Sequence, residues 1–540
     1  MYRKMFVSLL LLCGMSAAAQ SVCGPGVFDV RALEGEMKVN RELYGDNYTA
    51  YQSPSGVLTP APAGYEACYM SHYGRHGSRY LIGKNVYEHP YEVLKEADEK
   101  GILTPLGCRL LGQLDTIRRD ARGHTDELTL RGAQQHQQIA ERMYRNFPEI
   151  FSGNKKIDAR STPVIRCILS MANETMTLKG LNPQLEIAMD ASEADKYYLN
   201  YNDEQLRKER RPKGSAADSL QTAFEKRHYD PQRLMNSLFR EESYWREAVR
   251  DPWKFAAVDI WKVVADMQST ELRHRMPMTE YFTDEELYNI WLIKNAGWYV
   301  THGPSPLTGG RQVFFQRNLI KNIINTADSC LALLAADPAG ALGTSLQSKA
   351  SQVPSGDALL GKELAGTVAE GREMRDEGLL GESVKRPLAA SLRFGHEVVV
   401  MPTVCFLNLN GYGEQYADLE DLAANGWHDN RIFPMGSNIQ MVFYKRSPLP
   451  ASSPLPASPK GEETGMSGVS GKTGKSGVSG KTGVSRKSGK TGEPDKPILV
   501  KILLNEEETV MPQLTPVEGC YYKWQDVKDY CLKKLESFVE

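Results

Sequence analysis

Arg75-His76-Gly77-Ser78-Arg79 sets an imidazole between two guanidiniums at the end of the apolar run Ala67-Cys68-Tyr69-Met70-Ser71. These side chains suit attack on phosphorus. A histidine can serve as the nucleophile, while guanidinium forks pair bidentately with phosphate oxygens, cancelling their charge and fixing their orientation. Gly77 allows a sharp backbone turn and the close approach of an anion. The plainer alternative is a pair of surface arginines flanking a core histidine.

If this segment binds phosphate, further donors and a proton source belong at other strand ends, because ligands of open α/β sheets gather at the carboxyl ends of the strands. Two segments have that form. Residues 157–162 read as a strand, and Val164 to Ser170 then enters a helix with Arg166 in its first turn, where free backbone N–H groups and the dipole favour an anion. Leu392-Arg393-Phe394-Gly395-His396-Glu397 reads as a strand running into a His-Glu pair, ahead of the apolar Val398 to Pro402. A polar pair between a buried strand and a buried helix needs a role, either in chemistry or in satisfying the amides of the helix N-terminus.

The elements around these residues suggest an α/β fold: a doubly wound, mostly parallel sheet flanked by helices, with an inserted α-helical cap. Short apolar runs alternate with helical patterns over 20–183, the first part of the core. Residues 184–336 are helical throughout, with Asp251-Pro252 and Thr283/Glu286 as helix starts, and read as the cap. Residues 337–386 read as a flexible insert. The core resumes over 387–446 and finishes over 498–540. Residues 447–497, with their repeated Ser-Gly-Lys-Thr-Gly units, form a low-complexity excursion from a hairpin. The Gly-Lys-Thr triplets lack the spacing and the strand-to-helix context of a phosphate-binding loop.

Apolar residues make up 41% of the 540, and the net charge is −2, which offers no basis for nucleic-acid binding or for an anionic membrane surface. Met1-Tyr2-Arg3-Lys4, an apolar core to Leu12 and Ser16-Ala17-Ala18-Ala19 read as a signal peptide over 1–19, so the protein is expected to be exported and without a membrane span. Export permits disulfides, and Cys520–Cys531 is the first pair to test; Cys68, Cys167 and Cys405 sit in apolar runs and read as buried thiols. No Cys or His spacing suggests a metal site.

Taken together, these motifs resemble the acid-phosphatase branch of the histidine phosphatase superfamily, which includes phytases and multiple inositol polyphosphate phosphatases. Arg75 to Tyr80 is similar to that family's Arg-His-Gly-x-Arg signature. Arg166-Cys167-Ile168-Leu169-Ser170, followed by Gly180-Leu181, resembles the segment carrying its third phosphate-binding arginine. Phe394-Gly395-His396-Glu397 resembles its distal motif, and Leu128 to His136 resembles a further family stretch. The resemblance spans Gly64 to about Asn505 and implies a two-step reaction without metal or cofactor. In that scheme His76 attacks phosphorus, Arg75, Arg79 and Arg166 clamp the phosphate oxygens, His396 is a further donor, and Glu397 protonates the leaving oxygen.

Glu397 follows His396 directly, as Asp does in the phytase branch, whereas the inositol polyphosphate branch places Ala between histidine and acid. The substrate therefore stays open. Inositol polyphosphates such as phytate lead, and sugar phosphates or nucleotides are the alternative for a general acid phosphatase. A weakly catalytic phosphoanion-binding protein is the reading outside enzymes. Of the cap residues, the basic run Arg207, Lys208, Arg210, Arg211 and Lys213 is a candidate for meeting extra phosphates, or else a solvated helix end.

Overall fold

A computed structural model describes residues 30–54, 56–83, 85–336, 387–447 and 497–538. The expected signal peptide, the insert over 337–386 and residues 448–496 of the low-complexity insert lie outside the described residues.

Eight strands form one sheet: β1 (Tyr65–Arg75), β2 (Lys156–Ser161), β3 (Glu186–Asp190), β4 (Leu388–Gly395), β5 (Asn438–Arg446), β6 (Leu499–Leu504), β7 (Glu507–Glu508) and β8 (Tyr521–Lys523). The order is β3-β2-β4-β1-β5-β6-β7, with β8 also paired to β6. From β3 to β1 the neighbours are parallel; from β1 outward through β5 and β6 they are antiparallel. The parallel half follows from β–α–β crossovers, which need helices to return the chain. The antiparallel half includes the expected hairpin, in which Tyr444 of β5 pairs with Leu499 of β6 across the long insert.

β1 and β4 are buried on both faces over most of their length, as central strands of the sheet are, and carry the buried polar residues Ser71, His72, Ser391 and Arg393 among their apolar ones. Their parallel register aligns Arg75 with Gly395, and β2 sets Ser161 beside Phe394. Three segments far apart in sequence, ending at Arg75, Ser161 and Gly395, thus finish at one edge.

The helices that matter for this edge are α1 (Leu130–Asn146), α2 (Ile165–Leu181), α3 (Asp284–His302), α4 (Arg317–Ala336) and α5 (Glu397–Leu407). α3 begins with the expected capping box, in which Thr283 and Glu286 exchange hydrogen bonds. The chain from Arg311 through α4 is long and apolar enough, by length and composition, to cross a membrane, which the sequence reading did not anticipate. In the fold Leu319, Ile320, Ile323, Ile324 and Ala327 are buried, and Asn322 accepts a hydrogen bond from Arg393 of β4 at 2.9 Å. α4 is a helix of the protein core.

The expected Cys520–Cys531 bridge is not formed: Cys531 carries a free thiol. Cys167 and Cys405 are buried free thiols, as their apolar surroundings suggest, and Cys68 is partly buried.

Candidate active site

β1 ends at Arg75, and the next residues leave the sheet along a path held by backbone hydrogen bonds. His76 N–H donates to Gly395 O at 3.0 Å, and Gly436 N–H donates to His76 O at 2.9 Å. Gly77 N–H donates to Ser170 Oγ of α2 at 3.1 Å, and Ser78 N–H to Gln135 Oε1 of α1 at 2.8 Å. Gly77 is needed here for close packing more than for a turn, since its φ lies in the ordinary range. A Cβ on it would meet Gly132 O at 2.5 Å, and a Cβ on Gly132 would collide with the Ser78 carbonyl. Two glycines face each other, which lets the loop after β1 lie flat against the start of α1.

The His76 ring is held in one tautomer. Its Nδ1 lies 2.9 Å from Gly77 O, an oxygen that only accepts, so Nδ1 carries the hydrogen and Nε2 presents a lone pair. Nε2 is buried with no hydrogen-bond partner. Burial, reinforced by the charges of Arg75 and Arg166, holds this histidine well below its usual pKa despite Glu397 nearby. The ring is neutral and oriented, as a nucleophile has to be.

Around it stand the three expected arginines. Arg75 is wholly buried; Nη1 donates to Phe433 O at 2.7 Å, while Nη2 has no partner. Arg79 lies with Cζ 5.5 Å from the Tyr48 ring centroid, and its Nε is unpartnered. Arg166 sits one residue into α2, with Nε buried and unpartnered. Burial lowers the pKa of both Arg75 and Arg166, the former to about 10, without discharging either. Buried guanidinium nitrogens without acceptors are the mark of an anion site.

The distal pair arrives on α5, whose N-cap is His396. Neither His396 nor another side chain caps this helix, so the reading of the pair as mere satisfaction of helix amides does not hold. His396 Nε2 lies 3.2 Å from Thr162 Oγ1, and its ring centroid is 5.8 Å from that of His76. Burial takes His396 down to about 4, so it too is neutral.

Glu397 Oε2 lies 3.2 Å from Arg75 Nε and 3.6 Å from His76 Nε2. Burial pushes this carboxyl up, but the guanidiniums of Arg75 and Arg79 outweigh that and hold it well below the usual carboxylate range. His76, His396 and Glu397 also offer ligand atoms within 4.8 Å of one another, a spacing that would suit a cation. Three guanidiniums around the same space favour an anion instead.

The tertiary structure thus brings Arg75, His76, Arg79, Arg166, His396 and Glu397 together. It adds groups the sequence reading did not assign: Ser170, Gln135, Thr162, Tyr48 and the Phe433 carbonyl. Gln135 and Ser170 lie within stretches resembling the family, the signal that could have flagged them. Of the basic run, Arg207 pairs with Glu204 and Arg211 with Asp218 and Glu225. Arg210 has no carboxylate partner among the described residues; it lies over the Phe315 ring and leaves Nη2 buried and unpartnered. Burial holds His302, at the end of α3, well below its usual pKa, with the charge of Arg210 lowering it further and Glu397 opposing.

Among solved structures, the chain resembles the multiple inositol polyphosphate phosphatase of Bifidobacterium longum. In that enzyme's complex with inositol hexasulfate the TM-score is 0.62 at 15% identity, covering 90% of this chain and 96% of that one. In its complex with phosphate the TM-score is 0.61 at 16% identity, covering 91% and 98%. The phytase from D. castellii gives 0.52 at 12% identity, covering 92% and 86%. At these identities the likeness establishes a shared fold. No curated protein matches the chain. Residues 74–454 match the family described as histidine phosphatase superfamily (branch 2), a span that runs from the last turn of β1 past the distal pair. With that span and the arginine-ringed histidine inside it, the chain belongs to branch 2 of the histidine phosphatase superfamily.

Proposed function

We propose that the protein is an exported histidine acid phosphatase that hydrolyses inositol polyphosphates through a phosphohistidine at His76. The observation that carries this reading is the unpartnered Nε2 of a neutral, buried His76 amid three guanidiniums with free nitrogens. A binding site for anions alone has no use for an oriented nucleophile. Likeness to a fold seen with inositol hexasulfate supports the substrate class, and the charged, apolar and small-residue pattern of residues 1–19 supports export.

The groups present account for each step. Arg75, Arg79 and Arg166 bind the oxygens of the phosphate, whose charge loosens Arg75 from Glu397. Glu397 then takes up a proton from solvent. His76 Nε2 attacks phosphorus as the P–O ester bond breaks, and the departing oxygen receives the Glu397 proton. Water next attacks the phosphohistidine, giving its proton to the Glu397 carboxylate as the N–P bond breaks. His396 donates to a phosphate oxygen throughout.

A second reading, a phosphoanion-binding protein with weak turnover, draws on the Glu397–Arg75 contact, which holds the acid ionised. Phosphate release from phytate and from an aryl phosphate separates the two. The wild type is expected to release phosphate from both, and His76→Ala from neither. No release by folded wild type from acidic to neutral pH would sink the enzymatic reading.

A further inference from the structure

Two carboxyls with no part in this reaction lie buried behind the phosphate clamp. Asp46 is 4% exposed and Asp429 fully buried, and their carboxyls are electrostatic neighbours. Asp46 belongs to the segment Arg41–Tyr48 and has φ 53° and ψ −131°, a backbone conformation that side-chain-bearing residues rarely adopt. Strain of this kind persists where surrounding structure enforces it, and it clusters at functional sites. The enforcement is visible: Asn430 Nδ2 donates to Leu43 O at 2.7 Å, tying this segment to the short helix Asp429–Ile432.

Asp429 is held from the other side by α3. Trp291 Nε1 donates to its Oδ1 at 2.8 Å, and its own N–H donates to Asn295 Oδ1 at 2.8 Å. The Asn430 N–H also donates to Oδ1, at 2.6 Å. Oδ2 of Asp429 and Oδ1 of Asp46 are left buried with no donor. Two adjacent carboxylates removed from water cannot both ionise.

The charges facing the pair decide where the proton lies. Arg75 and Lys294 face Asp46, as does the backbone N–H of Asn47. The Lys294 ammonium sits 5.1 Å from the Trp261 ring centroid and is itself faced by Lys262, Glu225 and Asp259. Positive charge therefore favours ionisation at Asp46, and the proton resides on Asp429, donated to its partner. Arg75 is reached from the same side, since the carbonyl it grips belongs to Phe433, the residue that ends the helix Asp429–Ile432.

We propose that Asp46 and Asp429 form a proton-sharing acid pair whose single negative charge positions Arg75 for phosphate. This rests on the reading of Arg75 as a phosphate ligand. Arg75 is fully buried with Nη2 free, and the reaction requires its Glu397 contact to loosen when phosphate binds. A second countercharge that is close but not in contact steadies the guanidinium while leaving its nitrogens to substrate. Because Trp291 and Asn295 come from α3, the pair also joins the helical region to the clamp.

Infrared difference spectroscopy tests the pair directly on the full-length protein. In an Asp266→Asn background, which removes the other buried carboxyl held near neutrality, a protonated-carboxyl band at neutral pH is expected with or without Glu397→Gln, and is expected to vanish when Asp429→Asn is added. Its absence from the Asp266→Asn protein would overturn the proposal whether or not the protein turns over any substrate. Kinetics test the role. Asp429→Asn keeps the charge on Asp46 and an amide donor in place, so kcat/KM on an aryl phosphate should stay within a few-fold of wild type. Asp46→Asn/Asp429→Asn keeps the shape but removes the charge. It should lower kcat/KM roughly ten- to a hundredfold, mostly through KM, and bring the alkaline limb of the pH profile down. Equal losses in the single and double variants, or none in either, would reject the positioning role.

Discussion

Glu397 Oε2 lies 3.2 Å from Arg75 Nε, so the carboxyl assigned to protonate the leaving group is ion-paired in the free site. The role that the family resemblance implies for Glu397, protonating the leaving oxygen, requires that carboxyl to be protonated. In the free site, however, Glu397 is held ionised by Arg75 and Arg79 against the effect of its burial; in the proposed reaction it regains a proton once phosphate draws Arg75 away.

Glu397→Gln should therefore have two opposite effects. Turnover should fall by about 10² to 10⁴, since the proton donor is lost. Inorganic phosphate should bind more tightly, since no carboxylate competes for Arg75. Steady-state kinetics with phosphate as product inhibitor reads both. Weaker phosphate inhibition in the variant would show that Glu397 does not occupy the anion site.

Acid tolerance should come from His76. A histidine of ordinary pKa becomes protonated, and loses its nucleophilic lone pair, as pH falls through about 6.5. Burial keeps His76 well below that value, so the nucleophile remains competent in mild acid. The acid limb of the kcat/KM profile on an aryl phosphate should fall clearly below 6.5. A limb at 6.5 or above would contradict the burial argument.

Arg210, which lacks a carboxylate partner among the described residues and leaves Nη2 buried and unpartnered, should discriminate between substrates. Arg210→Ala is expected to lower kcat/KM on phytate roughly ten- to a hundredfold, the loss of one charge-assisted contact. Its effect on an aryl phosphate should be less than threefold or so by the same accounting. Equal losses on both substrates would make Arg210 a structural residue.

Asp266 supplies a stability prediction. It is buried, accepts a hydrogen bond from Tyr87 Oη at 3.3 Å, and is pushed up to about 7 by burial, against the pull of Arg79. Below about pH 4 both native and unfolded chains hold this proton. Between there and about 7 the unfolded chain releases it while the native state keeps it, so stability falls as pH rises across that window. The full cost, reached above 7, is at most roughly 4 kcal/mol. Asp266→Asn should flatten this part of the pH dependence in chemical denaturation, gaining most over wild type near pH 8. An unchanged slope would show that Asp266 ionises freely.

The low-complexity insert should be dispensable. Tyr444 and Leu499 are register partners in antiparallel strands, so the chain enters and leaves the insert at adjacent points. Replacing residues 448–496 with a short turn should leave the melting temperature and turnover near wild type. Loss of soluble protein would refute this.

Much of the site was legible before any coordinates because its chemistry is local. Arg75, His76 and Arg79 lie within five residues, and His396 is adjacent to Glu397. The apolar runs before each motif announce buried strands, and the helical patterns after them announce the α2 and α5 N-termini. What sequence could not set is distance. Only the β1–β4 and β2–β4 registers bring Arg75, Thr162 and Gly395 to one edge. Protonation was equally out of reach, since it depends on desolvation and on charges that folding brings close. That is why Glu397 reads as an acid in the sequence and stands as a carboxylate in the fold. The role of Gly77 changed for a similar reason: its partner, Gly132, lies 55 residues along the chain and meets it only through packing of α1 on the loop after β1. Asp46 and Asp429 carry no motif at all, and only burial makes two ordinary aspartates into an acid pair.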